Sequence, residues 1–288
     1  MPSFIPRSFA FQPNKKSTVR LVIKIDSASL DQPPILRTFA GELRRLLADR
    51  HRITVVHDCA RPDAREWNSY TCVDGRCYNN RENSDYDCLA CASELNKSLV
   101  GTFSNYGIAA FGLCGLDANL IHLRKAPIVN GTSGCCLEVC AVDSFWLDTI
   151  SQSGGVPVLV NLARGPDQHC HLVNADQMAA SCAVHWDADT LIFLSDCEGF
   201  VNGAGSISRW LNITDLETLT RHSPLNSSML SKLKASQYAL KHHVRRTRIL
   251  PLSDLQSLSM FYSSKIDSGT ELILDVEFLQ QHWRTPST

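Results

Sequence analysis

A chain of 288 residues, 44% of them hydrophobic, is long enough for one large or two modest domains with a sizeable buried core. Its 28 Lys plus Arg against 29 Asp plus Glu leave a formal charge of -1, which argues against nucleic acid or an anionic membrane as the main partner. No uninterrupted apolar run approaches the length needed to cross a bilayer, so the chain reads as soluble, and its cysteines, read as free thiols, place it in the reducing cytoplasm.

Residues 1–18 hold basic residues, Ser and three prolines but no acid, and the prolines spoil an amphipathic helix. They read as a disordered N-terminal extension. Val19 to Ile25 is a strand signal, dense in β-branched residues, and it carries Lys24 just before its carboxyl end. Desolvating an ammonium costs several kcal/mol unless anions receive it, so Lys24 calls for a carboxylate partner or a phosphate. From about Pro34 to Asp49, Ile35, Leu36, Phe39, Leu43 and Leu46 share one helical face. Ile53 to His57 is the second strand, ending at Asp58-Cys59-Ala60. An irregular stretch is expected to about Asn83, then a helix from Ser84 to Leu99 and a third strand from Gly107 to Leu113.

Short β segments between Ile121 and Cys136, a helix from Asp143 to Ser153 closed by Gly154-Gly155, and a strand from Val156 to Asn161 follow. Gly165-Pro166-Asp167 is a hairpin-type turn. Next come a helix to about Trp186 and a buried strand from Thr190, with a second hairpin signal at Asn202-Gly203-Ala204-Gly205. Helices over about Thr214 to Thr220, Met229 to His242 and Leu252 to Tyr262 are interleaved with late strands at Thr247 to Pro251 and Glu271 to Leu274. Strands alternating with helices predict an α/β three-layer sandwich around an open, mainly parallel sheet. A division of the chain would fall near Asn174, giving lobes 19–173 and 174–288.

Twelve cysteines, with two residues between Cys88 and Cys91 and with Cys72 and Cys77 upstream, raise a zinc or redox reading. Against it, Cys88 and Cys91 lie in a helical, alanine-containing segment, and free cysteine packs as a small apolar residue. In an open α/β sheet, loops at the carboxyl ends of strands hold ligands, so Asp176 and Asp196 should face one crevice. The simpler role for Asp176 is a helix N-cap. Lys24 and Lys232 come from well-separated elements, and Asp176 is a plausible partner for both. Two ammonium groups across a phosphoryl group would neutralise the charge that grows on its oxygens, with a carboxylate setting their spacing. No Gly-x-x-x-x-Gly-Lys-Ser/Thr loop is present.

The segments Leu21-Val22-Ile23-Lys24-Ile25, Val55-Val56-His57, Asn96-Lys97-Ser98-Leu99-Val100, Val173-Asn174-Ala175-Asp176, Leu194-Ser195-Asp196-Cys197-Glu198-Gly199 and Met229-Leu230-Ser231-Lys232 stand in an order and spacing that resembles acetylglutamate kinase, of the amino acid kinase superfamily. The resemblance runs from about Val19 to Val276. It implies an eight-stranded, mainly parallel sheet, an acyl amino acid held by the first lobe, and ATP with Mg2+ carried by the nucleotide in the second. It gives Lys24 and Lys232 the role of stabilising the transition state and Asp176 that of orienting them. Arg76, Cys59, Ala60 and Leu172 would meet the acyl amino acid. Asp196, Cys197, Glu198, Gly199, Phe200 and Val201, with Pro224, Leu225 and Asn226, would line the nucleotide. The implied reaction phosphorylates the side-chain carboxylate of N-acetyl-L-glutamate, a step of arginine biosynthesis, in a homo-oligomer (dimer or hexamer). A carboxylate is already ionised at neutral pH, so no general base is needed.

The chain departs from that pattern where the family has glycines, at Asp26-Ser27, Asp58-Cys59-Ala60 and Ser228, and at Leu172, where the family has an asparagine. Glycine lets backbone N–H groups approach a ligand closely, and carboxylates at Asp26 and Asp58 would face an anionic substrate. Two other readings therefore stand beside the kinase: a weak or inactive paralogue acting as a binding or regulatory subunit, and a cysteine-rich metal or redox protein. Whether Asp26 and Asp58 turn into the cleft or away from it separates the first two.

Overall fold

A computed structural model describes residues 18–26, 32–59, 70–73, 76–79, 85–126, 135–222, 225–260 and 267–274. Residues 1–17 of the expected N-terminal extension lie outside them. In chain order the elements are β1 (Arg20–Ile25), α1 (Pro33–Ala48), β2 (Arg52–His57), β3 (Tyr70–Val73), β4 (Arg76–Asn79), α2 (Asp85–Asn105), β5 (Ala110–Cys114), β6 (Ile121–Lys125), β7 (Cys135–Val142), α3 (Phe145–Gln152), β8 (Val156–Val160), β9 (Leu162–Arg164), β10 (Cys170–Leu172), α4 (Ala175–His185), β11 (Thr190–Ser195), β12 (Trp210–Asn212), α5 (Leu216–His222), α6 (Ser227–Lys241), β13 (Arg246–Pro251) and β14 (Thr270–Ile273).

Eight strands form one sheet in the order β12-β14-β13-β11-β1-β2-β8-β5. Every described pairing in it is parallel except that of β13 with β14. The inner strands β1, β8 and β11 are buried almost end to end, because helices cover both faces and neither side of the strand meets water. One face, with Val22, Val56, Leu159 and Phe193, packs on Met178 and Ala179 of α4 and Leu233 of α6. The other, with Leu21, Ile23, Ile25 and Val55, packs on Phe39 and Leu43 of α1 and Phe103 of α2. Phe39 and Phe103 meet edge to face at 5.7 Å, an arrangement that contributes about 1 kcal/mol beyond area burial. Pro33 and Pro34 open α1 where missing N–H groups cost nothing, and its buried residues repeat at helical spacing.

Three features depart from the sequence expectation. The stretch expected to be irregular contains the hairpin β3–β4, with Val73 opposite Arg76, and β4 joins β7 and β6 in a four-stranded antiparallel sheet. Its signal was Asp74-Gly75 after the β-forming run Tyr70 to Val73, outweighed by the neighbouring cysteines and asparagines. The strand β12 was also unexpected, since three residues are too few to show a period. The expected last helix is a 3-10 helix, Leu252–Met260, interrupted at Asp254. Among the described residues no helix is long and apolar enough to cross a membrane.

Gly269 turns the chain into β14 with φ +73°, and a Cβ there would lie 2.1 Å from the Ile249 carbonyl oxygen of β13. Gly269→Ala is expected to lower the free energy of unfolding by about 2–4 kcal/mol in urea titration, since both the backbone conformation and the β13–β14 pairing oppose it.

Candidate active site

The carboxyl ends of three neighbouring strands and the amino-terminal turns of two helices meet at one place. β1 brings Lys24 and, one residue past its end, Asp26; β2 is followed by Asp58; β11 ends on Ser195. On the covering layer, α4 brings Asp176 in its first turn and α6 brings Lys232. Side chains alternate along β1, so Lys24 shares the face of Val22 and points under α4 and α6. The helix starts are held by side-chain caps, Asn174 accepting from the Gln177 N–H at 2.9 Å and Asn226 from the Met229 N–H at 2.7 Å. Asn174 Nδ2 also donates to Ser231 Oγ at 2.9 Å, which locks α4 to α6 and sets the distance between Asp176 and Lys232. The N-cap of α4 is thus Asn174, and the simpler role considered for Asp176 does not apply.

Lys24, Lys232 and Asp176 are exposed by only 2%, 1% and 5%. Lys24 Nζ lies 3.3 Å from Asp176 Oδ1, and Lys232 Nζ 3.6 Å from the same oxygen. These contacts are ionic: Asp176 Oδ1 has no hydrogen-bond partner among the described residues. Asp26 and Asp58 both turn inward. Asp26 Oδ1 accepts from Lys24 Nζ in a very short contact and from Lys232 Nζ at 3.1 Å, while Asp58 Oδ2 accepts from Lys24 Nζ at 2.7 Å. Ser195 Oγ donates to Asp26 Oδ2 at 2.9 Å, and Lys232 Nζ donates to Ser228 Oγ at 3.2 Å.

The electrostatics follow from this packing. Burial disfavours the Lys24 ammonium, but Asp176, Asp58 and Asp26 outweigh it and hold its pKa well above that of an ordinary lysine. Burial likewise works against ionising Asp26, yet Lys24 and Lys232, with the hydrogen bonds from Lys24 and Ser195, bring its carboxyl down to about 2. Asp58 moves the other way. Burial and the nearby Asp176 and Asp26 push its carboxyl up against the pull of Lys24. Two ammonium groups thus face three carboxyl groups.

Around this cluster an amide side chain ties neighbouring strand ends. Asn161, at the end of β8, accepts from the Cys59 N–H at 2.8 Å and donates to the Val173 carbonyl at 2.6 Å. Cys59 is buried with Cys88, Cys170, Ala92, Val160 and Leu162, and Leu172 packs against the same group. The Cys59 N–H is thus engaged by Asn161, and the Leu172 side chain by the buried cysteines. Arg76 begins β4, but its side chain, with Ala60 and Pro224, lies outside the described residues, as do the side chains of Cys72, Cys77 and Cys91. Among the described residues no three His, Cys, Asp or Glu side chains are grouped to hold a metal ion.

The stretch after β11 divides by exposure. Asp196 borders a cleft of about 770 Å3 between the start of α1 and the 3-10 helix, lined also by Gln32, Thr38 and Ser253. Through Ser195, which also lies 3.3 Å from Asp196 Oδ1, it is one hydroxyl away from Asp26. Cys197 donates to Ser195 Oγ, and Glu198 accepts from Ser253 Oγ at 2.8 Å. Gly199 packs against Thr270, Phe200 is buried in the core and Val201 bridges to Ile207. Leu225 packs on the same core, and Asn226 is spent on its helix cap. Sequence reasoning missed Ser195 and Asn161. Their only signal was a polar residue at the carboxyl end of a buried strand.

A profile described as the amino acid kinase family matches residues 19–251. The chain belongs to the amino acid kinase family. It is 32% identical to an acetylglutamate kinase of Acidobacterium capsulatum over 259 residues, covering 88% of this chain and 99% of that one. A Koribacter versatilis acetylglutamate kinase is 30% identical over 90% of this chain and 100% of its own. In fold it is similar to an N-acetylglutamate synthase from Neisseria gonorrhoeae in complex with coenzyme A and N-acetyl-glutamate, at a TM-score of 0.72 and 19% identity. That match covers 90% of this chain, which spans 60% of the synthase. A Giardia lamblia carbamate kinase bound to AMP-PNP is similar at a TM-score of 0.63 and 12% identity, over 90% and 100% of the two chains. These two acetylglutamate kinases match along essentially their whole length, and the eight-stranded sheet is the fold of this family.

His57, at the end of β2, is buried beneath the cluster. Its Nε2 accepts from Asn96 Nδ2 at 3.0 Å, which assigns its proton to Nδ1, 2.9 Å from the Asp58 carbonyl oxygen. Burial, with Lys24 close by, lowers its pKa from 6.5 to about 4 although the Asp58 carbonyl opposes the shift. A depressed histidine lets the unfolded chain take the proton first, so stability is complete above about 6.5 and falls with pH down to about 4. Linkage puts that loss at about 3 kcal/mol. Denaturant titrations across this range should show it in the wild-type protein and not in His57→Asn.

Proposed function

We propose that this chain transfers the γ-phosphoryl group of ATP to the side-chain carboxylate of N-acetyl-L-glutamate or a closely related acyl amino acid, the arginine-biosynthesis step its relatives' name denotes. The observation that carries the reading is the pair of buried ammonium groups within 3.6 Å of a single Asp176 oxygen at the carboxyl end of β1. Lys24 and Lys232 would hold the transferred group from two sides, lowering the cost of charge on its bridging and equatorial oxygens. Asp176, buried and fixed through Asn174 and Ser231, would keep the two ammonium groups apart and aimed. The donor set suits a phosphoryl group. Mg2+ would arrive on the nucleotide, where it neutralises phosphate charge. The acyl amino acid would lie over residues 19–173 and the nucleotide over 174–288, in a cytoplasmic homo-oligomer.

A second reading, a weak or inactive paralogue that binds and regulates, is favoured by a specific observation. Asp26 and Asp58 turn into the cluster and give both lysines carboxylate partners of their own. Trapping acyl phosphate with hydroxylamine in the presence of ATP, Mg2+ and N-acetyl-L-glutamate decides between the two. The kinase reading expects turnover by the wild-type protein, with kcat falling by about 100- to 10,000-fold in Lys24→Ala and in Lys232→Ala. Wild-type protein that turns over no acyl amino acid would sink it and leave the second.

A further inference from the structure

We propose that the carboxylate of Asp26 is a built-in occupant of the place a γ-phosphoryl group would take, and that it makes this site favour a nucleoside diphosphate over the triphosphate. The inference rests on the reading that the two lysines receive a nucleotide's terminal phosphate. Asp26 Oδ1 touches both ammonium groups and Oδ2 takes the Ser195 hydroxyl, so three donors converge on one small anion. A phosphoryl oxygen entering between Lys24 and Lys232 would need those same donors.

Asp26 is also dispensable for holding the lysines. Without it, Lys24 keeps Asp58 at 2.7 Å and Asp176 at 3.3 Å, and Lys232 keeps Asp176 at 3.6 Å. Asp176 Oδ1, which forms no hydrogen bond among the described residues, is free to accept one from either ammonium. Two positive groups would then face two negative ones, and an arriving phosphate would meet no surplus of like charge. The Asp26 N–H is fixed to the Leu194 carbonyl at 3.2 Å, so its carboxylate can leave the lysines by side-chain rotation with the backbone in place. A diphosphate stops one phosphoryl group short and leaves Asp26 where it is. A triphosphate must turn it out or lie beside it, and like charges so placed in a buried site strongly oppose binding.

Calorimetry of the full chain with ADP and with a non-hydrolysable ATP analogue, both with Mg2+, tests this on wild type, Asp26→Gly and Asp26→Asn. Asp26→Gly is expected to tighten the triphosphate analogue about tenfold or more and to change ADP by less than about threefold. Asp26→Asn, which keeps the volume and removes the charge, should give an intermediate gain. An unchanged ratio of the two affinities in both variants would overturn the inference. If that happened while Lys24→Ala still lost acyl phosphate formation, only the role of Asp26 would fall. If neither nucleotide bound to wild type or to either variant, the underlying kinase reading would fall with it.

Discussion

A lysine in the middle strand of a sheet covered on both faces is the constraint from which the rest of this site follows. An ammonium group moved out of water is tolerated only if anions meet it, and Lys24 is met by Asp26, Asp58 and Asp176. Those carboxylates come from the strand itself, the adjacent strand and the helix above, so the ion cluster ties layers that hydrophobic packing alone would leave free to slide. Lys232, from a second helix, enters the same cluster through Asp26 and Asp176. The cluster therefore adds ionic contacts among the sheet, α4 and α6 to their hydrophobic packing.

Parallel strands make this convergence possible. β2, β1 and β11 lie side by side and run the same way, so their carboxyl ends, and the polar residues that follow them, open at one edge. The amino termini of α4 and α6 point toward that edge, and the partial positive charge of a helix start supports a carboxylate such as Asp176 there. Beneath the ions, Asn96, His57 and Asn161 hydrogen-bond backbone groups of neighbouring segments, and Asn96 also bonds His57. This is what a site that must hold its geometry without water requires.

The cysteines have a simpler physical account. Cys59, Cys88 and Cys170 are buried together with aliphatic side chains, and burial raises the Cys170 thiol above its ordinary pKa. Thiols kept protonated in an apolar setting are poor nucleophiles and poor ligands, and they fill space as small hydrophobic groups. Leu172 packs against the same group.

The sequence by itself determined the alternation of buried strands and helices, and with it the open parallel sheet, because hydrophobic period and turn residues are local properties. It also marked Lys24, since a charge inside a β-branched run is visible without coordinates. The hairpin at Tyr70 to Asn79 was legible in Asp74-Gly75 but was masked by surrounding polar residues and cysteines. Only the tertiary structure decided that Asn174 caps α4 so that Asp176 is left for the lysines, and that Ser195 and Asn161 complete the surroundings. It alone turned Asp26 and Asp58 inward. Side-chain direction at a strand end depends on charges contributed by elements far away in the chain, here Lys232 more than two hundred residues from Asp26. No local pattern encodes such a pairing.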